Sequence, residues 1–233
     1  MRFPGLDPTE VGLESPLHPA QRFLAGAYDS VAAMFEITYP ALRSQRDTSR
    51  GRLTHAEQDI FRAAVVFAGA GIDTVMKEAV RGSVRLRIDH SDDARAKYLE
   101  FAVGYLQKGS DLNVKSLASL LISERPDEAL KNAYVEKLTG SSLQSVDQVI
   151  TTLSALGLTD QKSLYLEAKK LKPLFQARNQ ISHELDMTSA AIRGQGQRTR
   201  HERTITTYRD MCHIGLNYSQ KVLNSVERFV APS

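Results

Sequence analysis

The sequence predicts an all-α fold, and three observations carry that prediction. Apolar residues recur at three- and four-residue spacings over most of the chain, helix caps and Gly or Pro stops punctuate those runs, and no long alternating run marks a strand. With 233 residues and 42% hydrophobic content, the chain can bury one substantial core. Residues 19–233 are therefore expected to form a single helical domain, with residues 85–157 a candidate helical insertion. Residues 1–18 carry Pro4, Pro8 and Pro16 with little periodicity and read as an extended or poorly ordered lead-in.

A net charge of +3 is compatible with a nucleic-acid partner but falls well short of a histone-like arm. The single cysteine, Cys212, excludes an intramolecular disulfide and a cysteine-based zinc site and suits a reducing compartment. No apolar run approaches the ~20 residues of a membrane span, and the N-terminus has no apolar signal core, so a cytoplasmic protein is expected.

The first helix is expected from Pro19 to about Arg43, with Phe23, Ala27, Val31, Met34 and Phe35 on one face and Pro40 kinking or ending it. A polar connection, residues 44–53, leads to Thr54-His55-Ala56-Glu57. That tetrapeptide fits a capping box, in which a Thr side chain and a Glu three residues on satisfy orphan amides reciprocally. The helix it opens is expected to run to about Val80, and its middle, AAVVFAGAGIDTVM, is apolar or small nearly all round, as a central helix requires. Gly69 and Gly71 lack a preceding strand and the full phosphate-loop spacing, so close helix packing explains them best. Asp73, the one charge in that stretch, needs a cation or several donors if it is buried.

Arg85 and Arg87 form a basic patch ahead of His90-Ser91-Asp92-Asp93. This cluster reads as a helix N-terminus, with Ser91 as cap and two acids favoured by the helix dipole, rather than as a metal site. Ala94, Tyr98, Phe101 and Tyr105 continue that helix, and Gly109 closes it. Shorter helical units follow at Val114–Ile122, from Pro126 to a stop at Gly140, and from a cap at Ser142 through Leu156 to Gly157. Another run begins near Thr159 or Asp160 and reaches Leu171. Pro173 either kinks it or sits in the first turn of a new helix starting near Lys172. A last helix is expected from about Glu202 to Val230, with Ile205, Tyr208, Met211, Tyr218, Val222, Val226 and Phe229 on its stripe.

The chemistry-bearing stretch is Arg178-Asn179-Gln180-Ile181-Ser182-His183. Leu174, Arg178, Ile181 and Leu185 share one helix face, so a guanidinium interrupts an apolar stripe. Such a charge needs an anionic partner or ligand, and Asp73 is the obvious internal candidate. His183 lies about 140° around an ideal helix from Arg178. One straight helix does not aim both side chains at one atom, so convergence calls for a distorted helix end, the reach of the arginine, or a second subunit. Beside the motif, residues 188–203 form a basic loop in which Arg193, Arg198, Arg200 and Arg203 are candidate phosphate contacts.

The run RNQISHELD, preceded by KPLFQA, resembles the signature of the HEPN superfamily, and its RiboL-PSP-HEPN branch is the most similar. The apolar helix RAAVVFAGAGIDTVMKEAV ahead of the motif, the variable helical middle and the long final helix follow the same layout over roughly residues 20–230. The resemblance implies a metal-independent endoribonuclease without cofactor, a homodimer whose two motifs face each other across a composite active site. Carried over residue by residue, Arg178 and His183 match the catalytic pair, Asn179 the polar orienting position and Asp73 the acid of the earlier helix. A toxin or antiviral-defence effector is expected, with an antitoxin protein as candidate partner. Some relatives carry a modifiable tyrosine two residues past the histidine; Leu185 stands there, so that regulation is not supported.

The residues support the same chemistry independently. RNA supplies its own 2′-OH nucleophile, so cleavage needs a base, cationic donors for the phosphorane and an acid for the leaving 5′ oxygen. Histidine can serve as base or acid, and an arginine fork can hold the phosphate. The competing reading is a non-catalytic helical module that binds nucleic acid or a protein partner, with Arg178 paired internally to Asp73 and His183 an ordinary histidine near a helix end. A four-helix metal protein is disfavoured, because no repeated Glu-x-x-His pair is present.

Overall fold

A computed structural model describes residues 2–46, 51–108, 118, 120, 122–187 and 200–230. The helices are α1 (His18–Ala33), α2 (Tyr39–Ser44), α3 (His55–His90), α4 (Asp92–Lys108), α5 (Pro126–Thr139), α6 (Val146–Ala155), α7 (Lys162–Ala168), α8 (Lys172–Glu184) and α9 (Ile205–Val230). Among the described residues there is no strand, only an isolated antiparallel bridge between Met187 and Arg200. The fold is all-α. No helix among the described residues is long and apolar enough to cross a membrane.

Helix α3 is the spine. The capping box forms as the sequence predicts: the Glu57 amide donates to Thr54 Oγ1 at 3.2 Å and the Thr54 amide to Glu57 Oε2 at 2.7 Å. Ala64, Val65, Ala68, Ile72, Val75, Met76 and Ala79 are buried along it, and α1 and α9 pack lengthwise against it. The expected stop near Val80 does not occur. The helix continues through Gly82, whose bare backbone lets the Pro16 carbonyl approach more closely than a Cβ would allow. We expect Gly82→Val to destabilise the fold by about 1–3 kcal/mol through overpacking against backbone. An unchanged urea midpoint would show that the N-terminal segment yields freely.

That segment, residues 2–17, is extended and closely held. Phe3 and Leu17 are buried, the Phe3 amide donates to Glu36 and the Asp7 amide to Asn217. Asn224 accepts from the Glu10 amide and donates to the Pro8 carbonyl, while Glu227 accepts from the Gly12 amide and the Ser15 hydroxyl. Several of its backbone polar groups are thus satisfied by side chains of α9 and by Glu36 in place of a strand partner.

In α1 the buried positions are Ala20, Leu24 and Val31, whereas Phe23, expected inward, is exposed. Pro40 leaves its mark upstream, as a π-helical turn over Met34–Thr38 in which the Tyr39 amide reaches back to the Met34 carbonyl. A proline ring crowds the carbonyl four residues before it, and the wider turn relieves the crowding.

Glu57 is fully buried beside two cations, Arg43 and Arg46, at 3.0 and 3.1 Å. Burial pushes its carboxyl upward, but the Thr54 amide and the two guanidinium groups outweigh that and hold it below the ordinary carboxylate value. A depressed folded-state pKa stabilises above the unfolded value of about 4.3, and this contribution is lost as pH falls through the folded value. Melting temperature should therefore decline on acidification through that range, and less steeply in Glu57→Gln. Equal slopes for the two proteins would contradict this assignment.

The middle helices attach to the second half of α3. Arg87, expected in a surface basic patch, is buried and donates to the carbonyls of Leu156 and Gly157 at 2.8 and 3.1 Å, with its guanidinium 4.2 Å from the Phe229 ring centre. Burial lowers its pKa, and the carbonyls of a helix end serve as its neutral acceptors. Gly157 takes the left-handed φ of +66° that its helix-end position requires. The His90–Asp93 cluster opens α4 with Ser91 Oγ accepting from the Ala94 amide at 3.3 Å. Ser145, rather than Ser142, caps α6 by accepting from the Gln148 amide. Gly109 lies outside the described residues, as does most of Val114–Ile122.

Candidate active site

The motif occupies the last two turns of α8. A 3-10 turn, Lys169–Leu171, separates α8 from α7, and Pro173 sits in the first turn of α8, where its missing N–H is harmless. Leu174, Phe175 and Ala177 form the buried face. Two glycines set how closely that face docks. A Cβ on Gly215 would lie 2.6 Å from Leu174 Cδ2, and one on Gly69 would lie 3.1 Å from Arg178 Cγ. The aliphatic stem of Arg178 therefore lies over the bare backbone of α3.

Arg178 is half-buried, and its Nη1 donates to Asn179 Oδ1 at 3.2 Å. Among the described residues no carboxylate pairs with it. Asp73 lies one turn beyond Gly69, but it accepts from Lys77 Nζ at 2.9 Å and from the Leu143 amide at 2.7 Å. Asp73 thus ties α3 to the start of the α6 region and is not the counter-ion of Arg178. His183 and Ser182 are exposed, and His183 has no hydrogen-bond partner among the described residues.

Just past His183 the helix ends abruptly. Leu185 and Asp186 both adopt positive φ, 52° and 59°, and the Asp186 amide donates to the Gln180 carbonyl at 3.0 Å. Left-handed geometry at two successive non-glycine residues costs roughly 1–2 kcal/mol each. An ion cluster offsets that cost. The fully buried Asp186 carboxylate accepts from Arg62 Nε at 2.8 Å and from Arg203 Nη1 at 2.7 and 2.8 Å. Arg62 also donates to Asp59 and Gln58, Arg200 to Asp59 at 2.6 Å, and Arg203 Nη2 to Gln180 Oε1 at 2.6 Å. Burial works against the charge on Arg62, and its Asp186 and Asp59 partners outweigh it.

This cluster includes two of the candidate phosphate contacts. Arg200 pairs with Asp59 and Arg203 with Asp186, and the Met187–Arg200 bridge and the His201 amide donating to the Asp186 carbonyl tie residues 200–203 to the end of α8. Arg193 and Arg198 lie outside the described residues. Compared with protein-family models, with curated proteins and with solved structures, the chain matches none.

Two positioning residues, Arg62 and Asp186, are not singled out by the sequence. Arg62 carried the same signal as Arg178, a cation among apolar neighbours on a helix face. Asp186 had a weaker one, since aspartate is among the few residues that tolerate left-handed geometry. Gly69 was recognised as a packing glycine, but its partner could not be read from the pattern. Among the described residues no group of three or more His, Cys, Asp and Glu side chains is placed to hold a metal ion, and Cys212 is buried with its thiol pKa driven far upward by desolvation.

Proposed function

We propose that this chain is a metal-independent endoribonuclease of the HEPN type, acting as a homodimer with a composite site. The observation that carries this reading is the state of Arg178: a half-buried guanidinium, braced by Asn179 and Gly69, with no carboxylate partner among the described residues. A half-buried fork of donors without a carboxylate suits a phosphate. The exposed His183 stands at the end of the same helix. The silent-module reading drew its support from internal Arg178–Asp73 pairing, and Asp73 is bonded to Lys77 and Leu143 instead.

In the reaction, His183 accepts the 2′-OH proton as the 2′ oxygen bonds to phosphorus. Arg178 holds the non-bridging oxygens, and the bond to the 5′ oxygen breaks as a protonated histidine delivers a proton to it. The products are a 2′,3′-cyclic phosphate and a 5′-hydroxyl. The wide angular separation of Arg178 and His183 on one helix favours two copies, whose histidines divide the base and acid roles. Exposed Leu185, two residues past His183, adds apolar surface beside the motif for such an association. A toxin or defence role in the cytoplasm, restrained by an antitoxin protein, belongs to the same proposal.

Incubation of the purified chain with RNA in excess EDTA tests it. Cleavage with cyclic-phosphate ends is expected; cleavage only on addition of Mg²⁺ would overturn the mechanism.

A further inference from the structure

Beside the motif, a cleft of about 580 Å³ opens between the start of α6 and the corner joining α7 to α8. Its volume falls within the usual range for small-molecule sites, about 300–1,000 Å³. Ile150 and Phe175 contribute apolar lining, Gln176 and Asn179 contribute side-chain amides, and Lys169 and Lys172 contribute positive charge. The two lysines are exposed and have no ion-pair partner among the described residues, whereas Lys77, Lys97, Lys131 and Lys221 each hold a carboxylate. The one acid in the lining is Asp147.

Helical register connects this cleft to the motif. Lys172, Phe175, Gln176 and Asn179 follow the i, i+3, i+4, i+7 pattern of one face of α8, and His183 continues the same stripe one turn later. Asn179 is the joint between the two places: it lines the cleft, and its Oδ1 accepts from Arg178. From Asn179 to His183 the rise along the axis is about 6 Å. A chain whose phosphate lies at Arg178 therefore passes into the cleft within a short step.

We propose that this cleft is a subsite for a nucleotide of single-stranded RNA adjacent to the scissile phosphate. The inference rests on the ribonuclease reading and extends it from chemistry to substrate form. Lys169 and Lys172 hold the flanking phosphate, the apolar lining receives the base or sugar, and the Gln176 and Asn179 amides, which can both donate and accept, meet the base edge. An acidic peptide would use the lysines and leave the apolar lining and the amides without a role. A duplex would keep its bases stacked and out of such a cleft.

The test compares the wild-type chain with Lys169→Glu/Lys172→Glu and with Gln176→Ala, all three positions being exposed and outside the packed face. Binding of a fluorescently labelled single-stranded RNA hexamer is read by anisotropy in EDTA, on a His183→Ala background so that the probe survives. Cleavage of the same hexamer is read with His183 intact, with a duplex of the same sequence and a poly-glutamate peptide as further probes. The double charge reversal is expected to weaken hexamer binding at least tenfold, to raise KM more than it lowers kcat, and to flatten the salt dependence of binding. Gln176→Ala is expected to change the ranking of uridine and adenine hexamers. If the wild type cleaves RNA and the double variant binds and cleaves equally well, the subsite is overturned and the ribonuclease reading stands. Equal binding of duplex and single strand overturns the single-strand assignment, and binding of poly-glutamate without RNA overturns the ligand class. If the wild type neither binds nor cleaves the hexamer, both readings fall together.

Discussion

Replacing His183 with alanine is expected to lower RNA cleavage in EDTA by about 10²–10⁴-fold, the usual contribution of a positioned acid or base, while leaving helical content and melting temperature unchanged. The side chain is exposed and unpartnered among the described residues, so its removal leaves no cavity and no orphaned polar group. Arg178→Ala should cost a similar factor by a different route, the loss of donors aimed at the phosphorane. Its only described hydrogen bond is to Asn179, so the structural cost is confined to the stem packed over Gly69. Arg178→Lys separates charge from fork geometry: an ammonium keeps the charge and loses the paired donors, so activity should recover only in part. Cleavage that persists in either alanine variant, with the cyclic-phosphate product intact, would remove these residues from the reaction.

Asp186→Ala is expected to be the most damaging single substitution for stability. The carboxylate is fully buried between Arg62 and Arg203, and removing one partner from a buried pair typically costs about 3–5 kcal/mol, because the remaining charge stays desolvated. Arg62 would keep Asp59, Gln58 and the His201 carbonyl, and Arg203 would keep Gln180 and the Tyr208 ring, but neither would keep the buried carboxylate. The left-handed turn at Leu185 and Asp186 would then lose what offsets its strain, directly after His183. Urea denaturation measures the loss, and a change below about 1 kcal/mol would mean that the cluster contributes little net energy. Cleavage by the folded fraction should also fall, since the helix end that presents His183 is released.

These expectations draw unequally on sequence and structure. The Thr54–Glu57 capping box and the Gly157 stop are legible, because each is a local interaction spanning a few residues, while of the two readings left open at Pro173 the structure takes the new helix at Lys172. The end of α3 was misjudged for the complementary reason. Past Val80 the helix is carried on by contacts distant in sequence, among them Gly82 against the Pro16 carbonyl and Arg87 against the carbonyls of Leu156 and Gly157. Phe23 was placed inward by periodicity alone, yet α3 covers the neighbouring face of α1 and leaves that ring 52% exposed.

The candidate site divides along the same line. By itself the sequence determined that this is an all-α chain with an arginine and a histidine near the end of one helix, since helical periodicity and capping are written in neighbouring residues. Only the tertiary structure decided which charges are committed. Arg62, Arg200 and Arg203 are held by Asp59 and Asp186, and Asp73 is held by Lys77, while Arg178 keeps a guanidinium with no carboxylate partner among the described residues. Ion pairing depends on a few ångströms between helices far apart in the chain, and a charge carries no mark in its own sequence neighbourhood of the partner that folding will bring to it.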